Sequence, residues 1–255
     1  MSAQGERISK IIARAGICSR RDAEKLIEAR RVTLDGEAVT QQGTRAGEFQ
    51  IVAVDGKPLL EPDAARLWRY HKPAGLVTTH RDPEGRDTVF AALPRHLPRV
   101  VSVGRLDVNS EGLLLLTNDG ALARKLELPA AGWTRKYRAR LFGRVTQADL
   151  DTLAKGRTLD GVRYGPVKAE LERARGMYAW ANIAITEGKN REVKRLMESL
   201  GLKVARLIRV QFGPFHLGQL GEGAVEEIGA RVWKDALGMG KPRTKPGTKP
   251  GSAAA

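Results

Sequence analysis

The stretch VGRLDVNSEGLLLLTNDG, residues 103–120, carries the strongest structural signal in the chain. Gly104 permits a sharp turn, Arg105 and Asp107 follow it in a polar loop, and four leucines follow the loop at 113–116. A short apolar run bounded by turn residues is typical of a buried strand, here over 112–119. The next segment, GALARKLELP, has the spacing of a helix that ends before Pro129.

Segments on both sides of this stretch show strand patterns. We predict strands at 67–70, 99–103, 136–142, 179–186 and 203–213. Helical patterns appear at 147–156, which Thr146 and Asp149 cap, and at 190–201, which ends at Gly201. Strands dominate and helices are inserted between them. The predicted fold class is therefore α+β with a largely antiparallel mixed sheet.

Three segments differ in composition and are predicted to be separate units. Residues 6–60 form a compact basic unit, and residues 66–235 mix strand and helix signals. Residues 238–255, GMGKPRTKPGTKPGSAAA, are rich in Gly, Pro and Lys without periodicity, which predicts a disordered basic tail.

The first unit combines two helices with a hairpin. Helical spacing over 8–16 is followed by a second helix over 19–31, with Ser19 as its N-cap, and VTLDGEAV predicts two strands around a turn at Asp35 and Gly36. Its basic side chains are Arg7, Lys10, Arg14, Arg20, Arg21, Lys25, Arg30 and Arg31. They either contact RNA phosphates or form ordinary solvated helix faces, and the basic character of the whole chain favours phosphate contact.

The charge balance favours a polyanionic partner. Lysine and arginine number 44 against 29 aspartates and glutamates, which gives a net charge of +15. Nucleic acid is the usual partner for such a chain. A membrane span is not expected, because it needs about 20 apolar residues in a row. The four histidines are scattered and Cys18 is the only cysteine, so we expect no metal site, no disulfide and a reducing, cytoplasmic location.

Arg105 and Asp107 are the local candidates for chemistry. A carboxylate next to a guanidinium stays ionised, because the cation favours the charged form. An ionised, positioned carboxylate can attack carbon as a nucleophile. The spacing is equally compatible with a structural ion pair in which Asp107 orders a turn.

Two resemblances to known families extend this interpretation. Residues 6–60 resemble the S4 RNA-binding domain. They contain, in the same order, a first helix, the helix of AGICSRRDAEKLI and a V-x-L-D-G hairpin. GRLD-x-x-S-x-GLLLLTNDG strongly resembles the active-site motif of the RsuA/RluB branch of the pseudouridine synthases. HKPAG, TRKY and EGKNREVKRLM match the same family in its order, so the resemblance spans residues 6 to about 230.

The resemblance implies roles for three residues, and Arg105 is a further candidate. Asp107 is implied to be the nucleophile, and Tyr137 is implied to lie over the target base. A basic residue of the late helix is implied to pair with the aspartate; it maps best to Lys194, with Arg195 as the alternative. Arg105 has two candidate roles, holding Asp107 or filling the gap that a flipped base leaves, and its alternative is an ordinary surface arginine.

The resemblance implies a cofactor-free isomerase that converts uridine to pseudouridine in ribosomal RNA. The segment after residue 187 most resembles the large-subunit (23S) enzymes of the RluB type, so 23S RNA is the expected partner of a monomeric protein. Three alternatives stay open: the same reaction on 16S RNA, a non-catalytic ribosome-assembly protein, and an RNA-binding stress or translation factor. The retained Arg105, Asp107, Tyr137 and Lys194 argue against the second, and about 170 further folded residues argue against the third.

Overall fold

A computed structural model describes residues 5–128 and 132–239 of the chain. All but the first two residues of the predicted tail lie outside these ranges. The helices are α1 (Ile8–Arg14), α2 (Arg20–Glu28), α3 (Val89–Ala92), α4 (Gly120–Glu127), α5 (Gln147–Asp151), α6 (Glu192–Glu198) and α7 (Ala230–Ala236), with a 3-10 turn at Thr152–Lys155. The strands of the first 72 residues are β1 (Glu6–Arg7), β2 (Val32–Leu34), β3 (Glu37–Ala38), β4 (Arg45–Ala46), β5 (Val52–Val54), β6 (Lys57–Pro58) and β7 (Leu67–Lys72).

The later strands build most of one large sheet. They are β8 (Val101–Val103), β9 (Ser110–Thr117), β10 (Arg135–Phe142), β11 (Arg157–Leu159), β12 (Val162–Tyr164), β13 (Lys168–Arg175), β14 (Tyr178–Ile185), β15 (Lys203–Phe212), β16 (Phe215–His216) and β17 (Val225–Ile228). Within the described ranges the sheet has nine strands, with the main order β13-β14-β10-β15-β9-β7-β17. Its strand pairs are antiparallel except for β15 with β9. The predicted α+β class with a largely antiparallel mixed sheet is confirmed.

The N-terminal segment has a small core of its own. Ile8 and Ile12 of α1 meet Ala23 and Ile27 of α2 and the buried Val32 of β2. The strands order as β3-β2-β5-β6. The Ser19 side chain accepts a hydrogen bond from the backbone N–H of Asp22 at 3.1 Å, as its predicted capping role requires.

Strand β9 lies inside the large sheet and is buried along its whole length. Leu114 and Leu116 face one core, and Leu113 and Leu115 face a second core on the other side. This division follows because successive side chains of a strand point to opposite faces. The four-leucine run therefore supplies both cores of the sheet.

Helices cover both faces of the sheet. Helix α6 contributes Val193, Leu196 and Met197 to the core that contains Leu114, and α4 and α7 contribute Leu122 and Trp233 to the core that contains Leu113. Helix α6 begins only at Glu192, because Arg191 adopts a left-handed φ of 51°. Of the helices in the described residues, none has the length and apolar character that a membrane crossing requires.

The predicted second helix was too long at its C-terminus. It ends at Glu28 rather than at residue 31, because Arg30 adopts a φ of 55°. A left-handed residue of this kind stops the helical hydrogen-bond pattern.

Candidate active site

The loop between β8 and β9 holds Asp107 by its backbone. The Thr78 hydroxyl donates to the Leu106 carbonyl at 2.9 Å, and the Gly75 N–H donates to the Val108 carbonyl at 2.8 Å. The Ser110 N–H donates to the Asp107 carbonyl at 2.9 Å. Each neighbour of Asp107 is thus fixed, so its carboxylate has a defined place at the edge of a cleft.

A buried lysine supports the same loop from behind. Lys72, the last residue of β7, is fully buried, and its ammonium donates to the carbonyls of Pro73, Val108 and Ser110 at 2.8, 3.1 and 2.9 Å. Burial lowers the pKa of Lys72 to about 8, while nearby Glu111 and Asp107 act in the opposite direction. Lys72 belongs to the HKPAG segment, and nothing in the sequence pattern pointed to this bracing role.

The cation next to Asp107 comes from α6. Lys194 Nζ lies 3.4 Å from Asp107 Oδ2, and the lysine side chain is only 11% exposed. The local ion pair between Arg105 and Asp107 that the spacing suggested is absent among the described residues, where Arg105 is exposed along the cleft. The side chains of two residues this close in a tight loop need not converge, whereas α6 approaches the carboxylate from across the cleft.

The cleft in front of Asp107 has a volume of about 1330 Å³ and is strongly basic. Among the described residues, eleven lysines and arginines line it against four acids. The basic residues are Arg20, Arg21, Lys25, Arg81, Arg99, Arg105, Arg135, Lys189, Arg191, Lys194 and Arg209. Such a cleft concentrates polyanions, because its field is of one sign.

Tyr137 lies in the wall of the cleft at the edge of the core. It is 9% exposed and stands opposite Arg209 in the pairing of β10 with β15. Arg209 is 3% exposed and its Nε donates to the Leu113 carbonyl at 2.7 Å. Burial lowers the pKa of the neighbouring Arg135, which also lines the cleft. Arg135 and Arg209 were missed from the sequence because both sit inside strands, where an arginine usually faces solvent.

The basic residues of the first unit that are predicted to contact RNA fall into two groups, those that line the cleft and those that lie outside it. Arg20, Arg21 and Lys25 of α2 line the cleft that contains Asp107. Lys10 and Arg14 instead pair with Glu6 at 2.6 and 2.8 Å, and Arg31 pairs with Asp55 at 2.6 Å. Arg7 and Arg30 are exposed outside the cleft.

Comparison with known proteins decides the family. Residues 66–199, more than half of the chain, match the RNA pseudouridylate synthase family, and residues 6–52 match the S4 domain. The chain belongs to the RNA pseudouridylate synthase family. As a member it is an isomerase that forms pseudouridine in RNA, which confirms the resemblance stated from the sequence.

Relatives whose matches cover most of this chain support the assignment. An RNA pseudouridine synthase of Rickettsia felis is 45% identical, over 89% of this chain and 98% of the relative. The ribosomal large subunit pseudouridine synthase B of Pseudomonas aeruginosa is 40% identical, over 95% of this chain and 65% of the relative. A crystal structure of a pseudouridylate synthase superimposes with a TM-score of 0.64 at 27% identity, covering 91% of this chain and 99% of that one.

Proposed function

We propose that this pseudouridine synthase modifies a uridine of 23S ribosomal RNA, with Asp107 as its nucleophile. The observation that carries the role of Asp107 is its position, on a braced loop and 3.4 Å from Lys194, at the edge of a basic cleft. The choice of 23S RNA is supported by relatives from Pseudomonas aeruginosa, Yersinia pestis and Shigella flexneri, each named as a ribosomal large subunit enzyme.

The reaction needs few groups because it exchanges one bond for another. The N1–C1′ glycosidic bond of uridine breaks, the captive base turns, and C5 bonds to C1′ while the C5 hydrogen leaves as a proton and N1 gains one. No atom of the base or sugar is lost otherwise, so the proposed reaction uses no cofactor or metal. A carboxylate assists departure of the base, either by attack at the sugar or by promoting a glycal intermediate.

Lys194, rather than Arg195, is the proposed partner of Asp107. Its short distance and low exposure favour a single carboxylate geometry, since a partly buried ion pair is less screened than one in solvent. Lys72 fixes the backbone beneath the carboxylate and is proposed as a positioning residue.

Tyr137 and Arg105 are proposed to act on the base and on the gap it leaves. A uridine must leave its stack before it reacts, at a cost of a few kcal/mol. The Tyr137 ring lines the cleft and offers a stacking surface worth about 1–3 kcal/mol. Arg105 is exposed at the mouth of the same cleft, so filling the vacated stack suits it better than holding Asp107.

The proposed organisation keeps the two units predicted from the sequence, an RNA-binding unit at 6–60 and a catalytic unit at 66–235. Residues Arg20, Arg21 and Lys25 support it, because they bring the first unit to the catalytic cleft. We expect the protein to act as a monomer in the cytoplasm, where ribosomal RNA is modified.

Replacement of Asp107 by asparagine tests the chemistry. Asparagine is nearly isosteric but uncharged, and loss of a nucleophile typically removes orders of magnitude of rate. We expect Asp107→Asn to melt near wild type and bind ribosomal RNA, yet release no tritium from 5-tritiated uridine in that RNA.

Asp119→Asn is the matched control. Asp119 lies in the same motif but caps α4 by accepting from the N–H groups of Ala121 and Leu122, a task that asparagine also performs. It should keep full tritium release. Substantial release by a folded Asp107→Asn protein would overturn the proposed mechanism.

The substrate is tested separately. Pseudouridines are mapped in the ribosomal RNA of a strain that lacks this protein and of the same strain complemented with Asp107→Asn. A single missing 23S site in both is expected; a missing 16S site in both would reject the large-subunit assignment while leaving the chemistry intact.

A further inference from the structure

The outer face of the large sheet, opposite the catalytic cleft, carries an exposed array of rings and cations. Along β10 the side chains of Tyr137, Ala139 and Leu141 are buried, while their neighbours Arg140 and Phe142 are exposed. Phe142 is 41% exposed, and Tyr178 on the adjacent β14 is 43% exposed. Large rings on a protein surface carry a solvation cost, so a group of them marks a candidate contact surface.

Strand register arranges these side chains in two rows. Directly paired residues of neighbouring strands share a face of the sheet. The first row is Arg175, Tyr178, Phe142 and Lys203, and the second is Arg173, Trp180, Arg140 and Arg206. These eight residues are here called the outer platform.

The outer platform is basic and its rings already contact guanidinium groups. Arg140 Cζ lies 4.2 Å from the centre of the Tyr178 ring, and the rings of Phe142 and Tyr178 are 5.3 Å apart. The platform has five cations, and Glu172, the acid next to Arg173 in β13, already pairs with Arg138. Arg206 alone among the five forms an ion pair with a described acid, Glu111 of β9.

We propose that the outer platform is a second RNA-binding surface, which holds a single-stranded segment of the substrate that passes around the edge strand β13. This goes beyond the modification reaction, because the platform lies on the opposite side of the sheet from Asp107. Exposed rings and guanidinium planes stack on bases of any sequence, and the flanking cations neutralise phosphates.

Charge favours RNA over a protein as the occupant. A protein partner or a second copy of this basic chain would have to bring acids to face Arg173, Arg175, Lys203 and Arg140. A single strand of RNA supplies a negative charge at every nucleotide and an unpaired base for each ring. A double helix does not fit the platform, because its bases are already stacked and cannot reach Tyr178 or Phe142.

Binding of a fluorescent 12-nucleotide oligouridylate to the full chain provides the test. Tyr178→Ala combined with Phe142→Ala should weaken its affinity by about 5-fold or more, which corresponds to the loss of one stacked base. Arg173→Gln combined with Arg175→Gln should flatten the plot of log affinity against log salt by about 1.4, at about 0.7 for each phosphate that is no longer neutralised.

The matched control for charge is Arg231→Gln combined with Lys234→Gln. Both side chains are exposed on α7, so the control removes two cations from another surface. It should leave the slope within about 0.3 of wild type. An equal flattening in the control and the platform variant would mean that only overall charge matters and would reject the proposal.

Photocrosslinking locates the binding surface independently. An oligonucleotide with 4-thiouridine should label the tryptic peptide 176–189, which contains Tyr178 and Trp180. No label there, or unchanged affinity in the folded Tyr178→Ala, Phe142→Ala variant, would overturn the proposal, as would a dimer that this variant abolishes. None of these measurements depends on pseudouridine formation. Their outcome therefore tests the outer platform independently of the role of Asp107.

Discussion

Replacement of Lys72 by methionine removes a buried ammonium while keeping the length of its side chain. The carbonyls of Pro73, Val108 and Ser110 then lack their donor. Three hydrogen bonds from a charged donor contribute about 4.5–9 kcal/mol at roughly 1.5–3 each. Burial of the ammonium lowers its pKa from 10.5 to about 8, a cost of roughly 3 kcal/mol that methionine recovers. The free energy of unfolding should therefore fall by about 3 kcal/mol.

Urea unfolding and a thermal melt measure this change. A loss of about 3 kcal/mol corresponds to a fall in Tm of about 6–12 °C for a unit of this size. Lys136→Met, the same substitution at an exposed position of β10, should stay within about 0.5 kcal/mol of wild type. Turnover by Lys72→Met should fall less than turnover by Asp107→Asn, because Lys194 still contacts the carboxylate. An unchanged melt would refute the role of Lys72 as a brace.

The pH dependence gives a second check on Lys72. Its pKa is lower in the folded chain than in the unfolded chain, so between about 8 and 10.5 the folded chain binds fewer protons. Stability then rises with pH in that window. The wild type should therefore gain unfolding free energy relative to Lys72→Met as pH rises from 8 to 10, by about 2 kcal/mol. A constant difference across this range would show that the ammonium is not desolvated.

The remaining predictions concern the cleft and the sheet. Tyr137→Leu should bind RNA nearly as wild type but lose most of its turnover, while Tyr137→Phe keeps both; equal turnover in the two variants would place the ring outside the reaction. Arg20→Gln combined with Arg21→Gln should flatten the salt dependence of RNA binding by about 1–2, more than Arg7→Gln combined with Arg30→Gln, which lie outside the cleft. In Gly112→Ala the new Cβ would overlap the Arg209 carbonyl oxygen at a φ of +98°, so a melt should show a loss of more than about 4 kcal/mol. Gly104→Ala has open space and should lose about 1 kcal/mol.

Local sequence patterns were enough to predict the secondary-structure elements that are deeply buried. The leucines at 113–116 are buried on both sides of β9, and the capping side chains of Ser19 and Thr146 make the predicted hydrogen bonds. Strand β13 was not predicted, because KAELERAR consists largely of residues that favour helices. Its pairing with β14 overrides that local preference.

Of the candidate active site, only the residues that belong to recognisable motifs could be predicted from the sequence. Asp107, Tyr137 and Lys194 were named from the resemblance, and the structure brings all three to one cleft. Lys72 was missed because a lysine next to proline is usually solvated, and only its hydrogen bonds to a loop distant in sequence explain its burial. Those bonds form between chain segments that no local window contains.

The position of β15 has a consequence for how the enzyme is made. This strand lies between β10 and β9 in the sheet, yet residues Lys203–Phe212 are synthesised after both of them. A nascent chain contains Asp107 and Tyr137 before β15 is made. That strand pairs both with β10, which contains Tyr137, and with β9, which follows Asp107. Contacts over such sequence separations also close slowly. Chains that stop short of β15 are therefore expected to be inert, so that RNA is modified only after this strand has joined the sheet.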